Sequence, residues 1–411
     1  MKQLAAALTF LFGAIDLFAQ QPKPPADHPQ VLYDESKVLP FTLPDVLVLL
    51  NGNKVKDAKT WKEKRRPEIL KLFEENVYGR AVVGKPKEMI WELVSVDSNA
   101  FDGTGVAKKV IIYFMGKKDG PKMGLDITVP KNSLKPVPIF LVPGWVNNEK
   151  LVLKRGYGLA NFDPCEVQPD KQDSAFENSI RKYFAKPDQK EPGLDEWGAI
   201  GVWAWAASRA MDYLVTDHGI DSNKVCIMGL SRFGKAAMWA GAQDERFVMV
   251  FSCESGCGGA VIVRRGFGET VRAINNTFPY WFCENFKSYN ERVNDLPVDW
   301  HMLVALIAPR PVYIATAEED FWGDQRGSFL AAKLAEPVYN LFNEKGLGVN
   351  KMPPVEKPVG DFIGFHLRKG THGLNEYDWE QFLNFADRHF GKIKFSLRLL
   401  PHLMLILFKN L

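Results

Sequence analysis

Along the chain, apolar and polar positions repeat with two different periods. Runs at 90–96, 109–115, 124–129 and 137–142 carry the short, β-branched-rich pattern of strands, and so do 224–229, 247–253, 312–317 and 363–368. Trp61 to Tyr78 repeats its apolar residues at helical spacing, with Lys62, Glu63, Lys64, Arg65 and Arg66 on charged faces. Helical periodicity returns at 199–214, 232–242, 328–343 and 376–390. Strands that are almost wholly apolar and alternate with helices predict a mostly parallel central sheet covered by helices on both faces, a three-layer αβα sandwich. The pattern shows no internal repeat. A single catalytic domain is expected over 21–392, entered through a proline-rich extended segment at 21–47.

The two ends depart from this pattern. A basic start (Met1-Lys2), an apolar run from Leu4 to Ile15 and a small residue at Ala19 read as a secretory signal peptide, cut near Ala19 or Gln20. That predicts a periplasmic or extracellular protein. The run is too short to span a bilayer, as is the apolar tail at 393–411, which Pro401 interrupts and to which no function is assigned. With 411 residues, 46% of them hydrophobic, the chain can bury a large core. Its 52 basic and 49 acidic residues leave a net charge of +3, which gives no case for a nucleic-acid partner. Export permits disulfides. The five cysteines are Cys165, Cys226, Cys253, Cys257 and Cys283; Cys226 falls in a strand as a buried thiol, and Cys257 with Cys283 is a possible bridge. No Cys/His spacing suggests zinc, no cofactor is expected, and the protein is expected to be a monomer.

The chemistry concentrates at 225–235, where an apolar strand runs into Gly229-Leu230-Ser231-Arg232-Phe233-Gly234-Lys235 and a small-residue helix follows. Strand, sharp turn and helix make a nucleophile elbow, which lifts a serine hydroxyl clear of a sheet at a helix N-terminus. The pattern departs from G-x-S-x-G, because the second glycine comes one residue late. A serine needs a base, and the base needs an orienting acid. Such groups gather at the carboxyl ends of parallel strands. His372, just past the last strand, fits the base in the chain order Ser…acid…His. His366 lies within the strand and reads as packed, and His301 reads as core or supporting. Two carboxylates follow strands, Glu254 after 247–253 and Asp320 after 312–317; either could fix the tautomer of the imidazole, and both could share the task. The stretch Ser255-Gly256-Cys257-Gly258-Gly259 lacks the lysine and spacing of a phosphate loop, so its glycines read as backbone passing close to the serine pocket.

Taken together, Gly229–Lys235, Glu254–Gly259, Arg265–Glu269, Phe278–Phe282, Asp299–His301, Leu306–Pro311, Glu319–Trp322 and Thr371-His372 resemble the glucuronoyl esterases of carbohydrate esterase family 15, in their bacterial branch, over roughly residues 30–392. The resemblance implies an α/β-hydrolase fold. It also implies a serine-type carboxylic ester hydrolase that cleaves esters between (4-O-methyl-)glucuronic acid side chains of glucuronoxylan and lignin alcohols. Ser231 would be the nucleophile and His372 the base, with the orienting acid at Glu254 or Asp320. Arg232 would stabilise the oxyanion, and Lys235, Glu269 and Trp322 would hold the sugar. Two departures stand out. The loop Pro143-Gly144-Trp145-Val146-Asn147-Asn148, expected to border the pocket, is less Asn- and Gly-rich than the family's and lacks its histidine. Leu230 stands where the fungal branch has a cysteine, so the fungal disulfide at the elbow is absent. An acetyl-xylan or other polysaccharide esterase on the same fold, or a non-catalytic carbohydrate-binding protein, are the alternatives.

Overall fold

A computed structural model describes residues 31–172 and 175–391. The segments read as signal peptide and apolar tail lie outside the described residues. Ten strands form one sheet: β1 (Ile90–Asn99), β2 (Gly105–Tyr113), β3 (Lys122–Pro130), β4 (Val137–Pro143), β5 (Gly158–Phe162), β6 (Ile220–Leu230), β7 (Met249–Cys253), β8 (Val312–Ala317), β9 (Val359–Gly360) and β10 (Ile363–Arg368). Their spatial order is β1-β2-β3-β5-β4-β6-β7-β8-β10-β9. From β5 through β10 the neighbours run parallel. β1, β2 and β3 form an antiparallel meander that joins β5 antiparallel. The sequence pattern captured eight of these strands and missed β5 and β9, which hold five and two residues.

The central strands are buried on both faces, and their alternation sorts side chains into two cores. Ile139, Leu141, Val225, Ile227, Val250, Val312 and Ile314 face one cluster, whereas Phe140, Val142, Cys226, Met228, Met249, Phe251 and Tyr313 face the other. Helices α1 (Arg66–Phe73), α2 (Ala199–Leu214), α3 (Arg232–Gln243), α4 (Trp300–Ala305) and α5 (Gln325–Asn340) cover the first face. Helix α6 (Glu376–His389) covers the second through Trp379, Phe382, Leu383 and Phe385. It starts at a reciprocal cap: Asn375 accepts from the backbone of Tyr377 and Asp378, and Asp378 accepts from the Asn375 N–H. This is the α/β-hydrolase architecture. Its consequence is that the turns after β6, β7, β8 and β10 all open on one rim. The entering segment lies against that rim: Gly268 N donates to Leu32 O at 3.0 Å, and Glu35 pairs with Arg265 at 2.6 Å.

The possible Cys257–Cys283 bridge does not form. Both thiols are buried separately; Cys283 Sγ points at the Glu75 carbonyl 4.0 Å away, and Cys257 sits in the glycine-rich turn after β7.

Candidate active site

β6 ends at Leu230, and Ser231 adopts φ 57° and ψ −127° before α3 begins at Arg232. A side-chain-bearing residue in that region costs ~1–3 kcal/mol, so the surrounding structure must impose it. It does so at both ends of the turn. Ser231 N donates to Cys253 O at 2.9 Å, and Lys235 N donates to Ser231 O at 3.2 Å. A Cβ at 229 would land on the Phe233 carbonyl, and one at 234 would crowd the Gly229 carbonyl and the Ser255 side chain. The two glycines therefore still flank the serine as a tight pair despite the longer spacing. The extra residue, Phe233, turns its ring edge-on to Trp203 and fills the space left by the missing side chain of Gly144.

The candidate base, His372, stands on the loop between β10 and α6. His372 Nδ1 lies 2.8 Å from Asp320 Oδ2 and 3.2 Å from Glu254 Oε2. The hydrogen bond to Asp320 holds the imidazole above its ordinary range, against the opposing effect of burial. Glu254, at φ 47°, closes β7 and is anchored elsewhere as well: Oε2 accepts the Gly373 N–H at 2.6 Å, and Oε1 accepts Arg368 Nη2 at 2.5 Å. Burial pushes its carboxyl up to about 8, with Arg368 and the Gly373 N–H pulling the other way. Arg368, buried beneath the loop, also donates to Asp378 Oδ2 at 2.9 Å and to the carbonyls of Lys369, Thr371 and Gly373 at 2.8–2.9 Å. It thus ties together the backbone on both sides of His372.

Ser231, Arg232, Lys235, Glu254, Glu269, Asp320, Trp322 and His372, the eight residues singled out in the sequence, line one cavity of about 270 Å³. Ser255, Gly256, Phe278, Trp281 and Gly323 complete its wall. At its floor the buried Lys235 donates to the Ser255 carbonyl at 2.7 Å and reaches Glu269 Oε2 at 3.3 Å. Glu269 N in turn donates to the Trp322 carbonyl at 2.9 Å, which joins the backbone of the two lining segments. Arg232 leans on an aromatic shelf, 5.1 Å from the Trp281 ring and 5.6 Å from Phe278, the two rings being stacked at 3.7 Å.

The other candidates fall elsewhere. His366 is buried in β10 between Tyr313 Oη (3.0 Å) and Asp378 (2.9 Å). His301 is buried within α4, with Nε2 3.0 Å from the Pro44 carbonyl; burial drives its imidazole down to about 4. The 143–148 loop is absent from the cavity wall, contrary to expectation: Gly144 backs the Phe233 ring, and Asn147 bonds Leu374 O and Trp379 Nε1 at 2.9 and 3.0 Å. It buttresses the site from behind. In the sequence Phe278 and Trp281 fall in a recognisable motif without a role, and Arg368 only ends a strand; the Phe-Pro-Tyr-Trp aromatic cluster and a charge at a strand's carboxyl end were the available signals. Asp170, which pairs with Arg232, left no signal at all. Among the described residues, one His/Asp/Glu trio has the proximity a metal needs, Glu254, Asp320 and His372, and both its carboxylates are already turned to the His372 Nδ1.

A family description, the glucuronyl esterase of fungi, matches residues 116–343. A carbohydrate esterase, MZ0003, from an unknown prokaryotic organism is 40% identical over 402 residues, covering 87% of this chain and 91% of its own length. A 4-O-methyl-glucuronoyl methylesterase from Podospora anserina is 37% identical over 68% of this chain and 56% of its own. Among solved structures, a glucuronoyl esterase from Solibacter usitatus superposes with a TM-score of 0.82 at 42% identity, covering 86% of this chain and 99% of its own.

Proposed function

This chain belongs to the glucuronoyl esterases of carbohydrate esterase family 15, carboxylic ester hydrolases, and from that premise we propose that it hydrolyses glucuronoyl esters through a serine acyl-enzyme. The observation that carries the reading is the 2.8 Å bond between His372 Nδ1 and Asp320 in a cavity that also holds the strained Ser231. Asp320 fixes the tautomer that leaves Nε2 unprotonated, so the ring can take the Ser231 proton as Oγ attacks the ester carbonyl carbon. The carbonyl oxygen becomes an oxyanion beside Arg232. Collapse expels the alcohol, which takes the proton back from His372, and the uronate remains esterified to Ser231. Water then attacks the acyl carbon and gives a proton to His372; collapse breaks the bond to Ser231, whose Oγ takes that proton back as the free uronic acid leaves.

The neutral ester carries no charge where the carboxylate will form. A fixed guanidinium beside Ser231 therefore gains more in the transition state than in the ground state, which raises kcat rather than merely tightening binding. Lys235 and Glu269 at the floor offer donors and an acceptor to sugar hydroxyls, and Trp322 offers an apolar face. The natural substrate on this reading is the ester linking (4-O-methyl-)glucuronic acid of glucuronoxylan to lignin alcohols. The N-terminal segment, read as a signal peptide, supports a site of action outside the cytoplasm, where such polymers are met. Among the described residues no helix is long and apolar enough to cross a membrane.

The test compares turnover of benzyl glucuronate with that of an acetylated sugar, and follows the mass of the protein during a rapid quench. A glucuronoyl adduct on the wild type, missing from Ser231→Ala, is the expected result. Preference for the acetate defeats the substrate assignment, and turnover that survives Ser231→Ala defeats the mechanism.

A further inference from the structure

Arg232 follows the nucleophile directly, yet sequence position alone does not aim a guanidinium: its side chain has four rotatable torsions and is 38% exposed. The structure supplies the aim from far along the chain. The segment that leaves β5 delivers Asp170, whose side chain is 15% exposed, to the Arg232 head, and Oδ2 pairs with Arg232 Nη1. The second oxygen of the same carboxylate accepts two further bonds, from Tyr280 Oη and from Trp281 Nε1, both at 2.8 Å. Trp281 is also the ring over which the guanidinium lies, so one residue supports Arg232 from below and fixes its counter-ion from the side. Asp170 is absent from the cavity wall.

We infer that Asp170 is a positioning residue of the esterase, which acts through Arg232 by holding its guanidinium in the place where the oxyanion develops. The inference rests on the reading of Arg232 as the oxyanion partner. An arginine carries five N–H donors in a rigid fork, so committing Nη1 to Asp170 sets the plane and rotation of the others. A donor is effective in the transition state only if it is already in place and needs no reorganisation. Tyr280 and Trp281 serve the same end one step removed: they prevent the carboxylate from turning to follow a mobile arginine.

The experiment is a double-mutant cycle on the full-length enzyme with benzyl glucuronate, using Asp170→Asn, Arg232→Met and the pair. Removing an oxyanion donor costs ~10²–10³ in kcat, and releasing it from its tether should cost a part of that, about 10–100-fold, with KM changed by less than about threefold. The double variant should be no slower than Arg232→Met alone. Tyr280→Phe, which deletes one of the two bonds bracing Asp170, should lower kcat about two- to fivefold, and Asp170→Glu should recover part of the loss seen with Asn. Two outcomes overturn the inference: kcat unchanged in both Asp170→Asn and Tyr280→Phe, or Asp170→Asn slowing the Arg232→Met enzyme as much as it slows the wild type. If Arg232→Met itself turns over normally, the oxyanion assignment fails first and takes the role of Asp170 with it, while glucuronate turnover by the wild type still stands.

Discussion

Replacing Arg368 with methionine should damage the fold and the base together. The guanidinium is buried and makes five hydrogen bonds: two to the carboxylates of Glu254 and Asp378, and three to the carbonyls of Lys369, Thr371 and Gly373. Both acids are themselves buried. Removing one partner of a buried ion pair costs ~3–5 kcal/mol, because the other is left uncompensated. At an unfolding entropy of ~2.1 cal/mol/K per residue, a chain of this length loses about 1.2 °C per kcal/mol, so the melting temperature should fall by about 3.5–6 °C. The sign of the pH dependence follows from what remains. Burial already holds Glu254 up to about 8 and loss of Arg368 raises it further, so the deficit should be larger at pH 8.5 than at pH 5.5, widening as pH passes about 8. The carbonyls released at 371 and 373 flank His372, so kcat should also fall, by about 10-fold or more. Arg368→Lys, with one ammonium for five acceptors, should recover less than half of the stability. Melting curves at the two pH values and steady-state turnover measure all of this. A methionine variant that melts within about 1 °C of the wild type at both pH values, with kcat intact, would refute the argument.

Three further expectations follow from single groups. Ser231→Gly should abolish turnover yet melt slightly above the wild type, by the ~1 kcal/mol that relief of a positive φ typically returns; Ser231→Ala, which keeps a Cβ, should show no such gain. Asp320→Asn removes the bond that holds the His372 imidazole above its ordinary range, so the acid limb of kcat/KM should move to lower pH while kcat drops about 10²-fold, less than the ~10⁴ lost with a lone triad acid; an unmoved limb would contradict the assignment. His301, held down to about 4 by burial, binds its proton in the unfolded chain near 6.5 before it can do so in the fold. Stability must therefore fall as pH drops from 6.5 to 4, by up to roughly 3 kcal/mol, and His301→Gln should flatten that fall in melts across the window; parallel slopes for the two proteins would sink the idea.

The elements legible in the sequence were those whose signal is local. Strands 312–317 and 363–368 were read with their observed bounds, since each is a run of six residues with all side chains buried. The elbow was legible because glycine, serine and helix lie within seven residues. β5 was missed because it is five residues long and begins at a glycine, too short to establish a period. The antiparallel start of the sheet was read as strands, but nothing in alternation alone reveals direction. The site divides in the same way. His372 was found from its place after a strand, whereas Asp170 meets Arg232 across 62 positions, in a stretch with neither helical nor strand period. A contact made by folding, between segments that each look like a loop, leaves no mark that a single chain can show.

The same limit explains why the sequence left two acids in contention, and three-dimensional charge bookkeeping separates them. Glu254 faces Arg368 with one oxygen and a backbone N–H with the other, so its charge, when present, is already answered inside the protein. Asp320 has no lysine or arginine within ion-pair reach among the described residues, and His372 is its one cationic neighbour. Asp320 also accepts the Gly323 N–H at 3.3 Å, but when the imidazole becomes imidazolium in the transition state, the carboxylate whose energy improves most is the one lacking another cationic partner. On the proposed mechanism Asp320 is therefore the acid that does electrostatic work during the reaction, while Glu254, clamped between Arg368 and Gly373, keeps the His372 loop in register and stands 3.2 Å from the ring as a second acceptor. Losing either acid leaves one acceptor for the Nδ1 proton; losing both leaves none, and the double variant must then fall below the product of the two single losses.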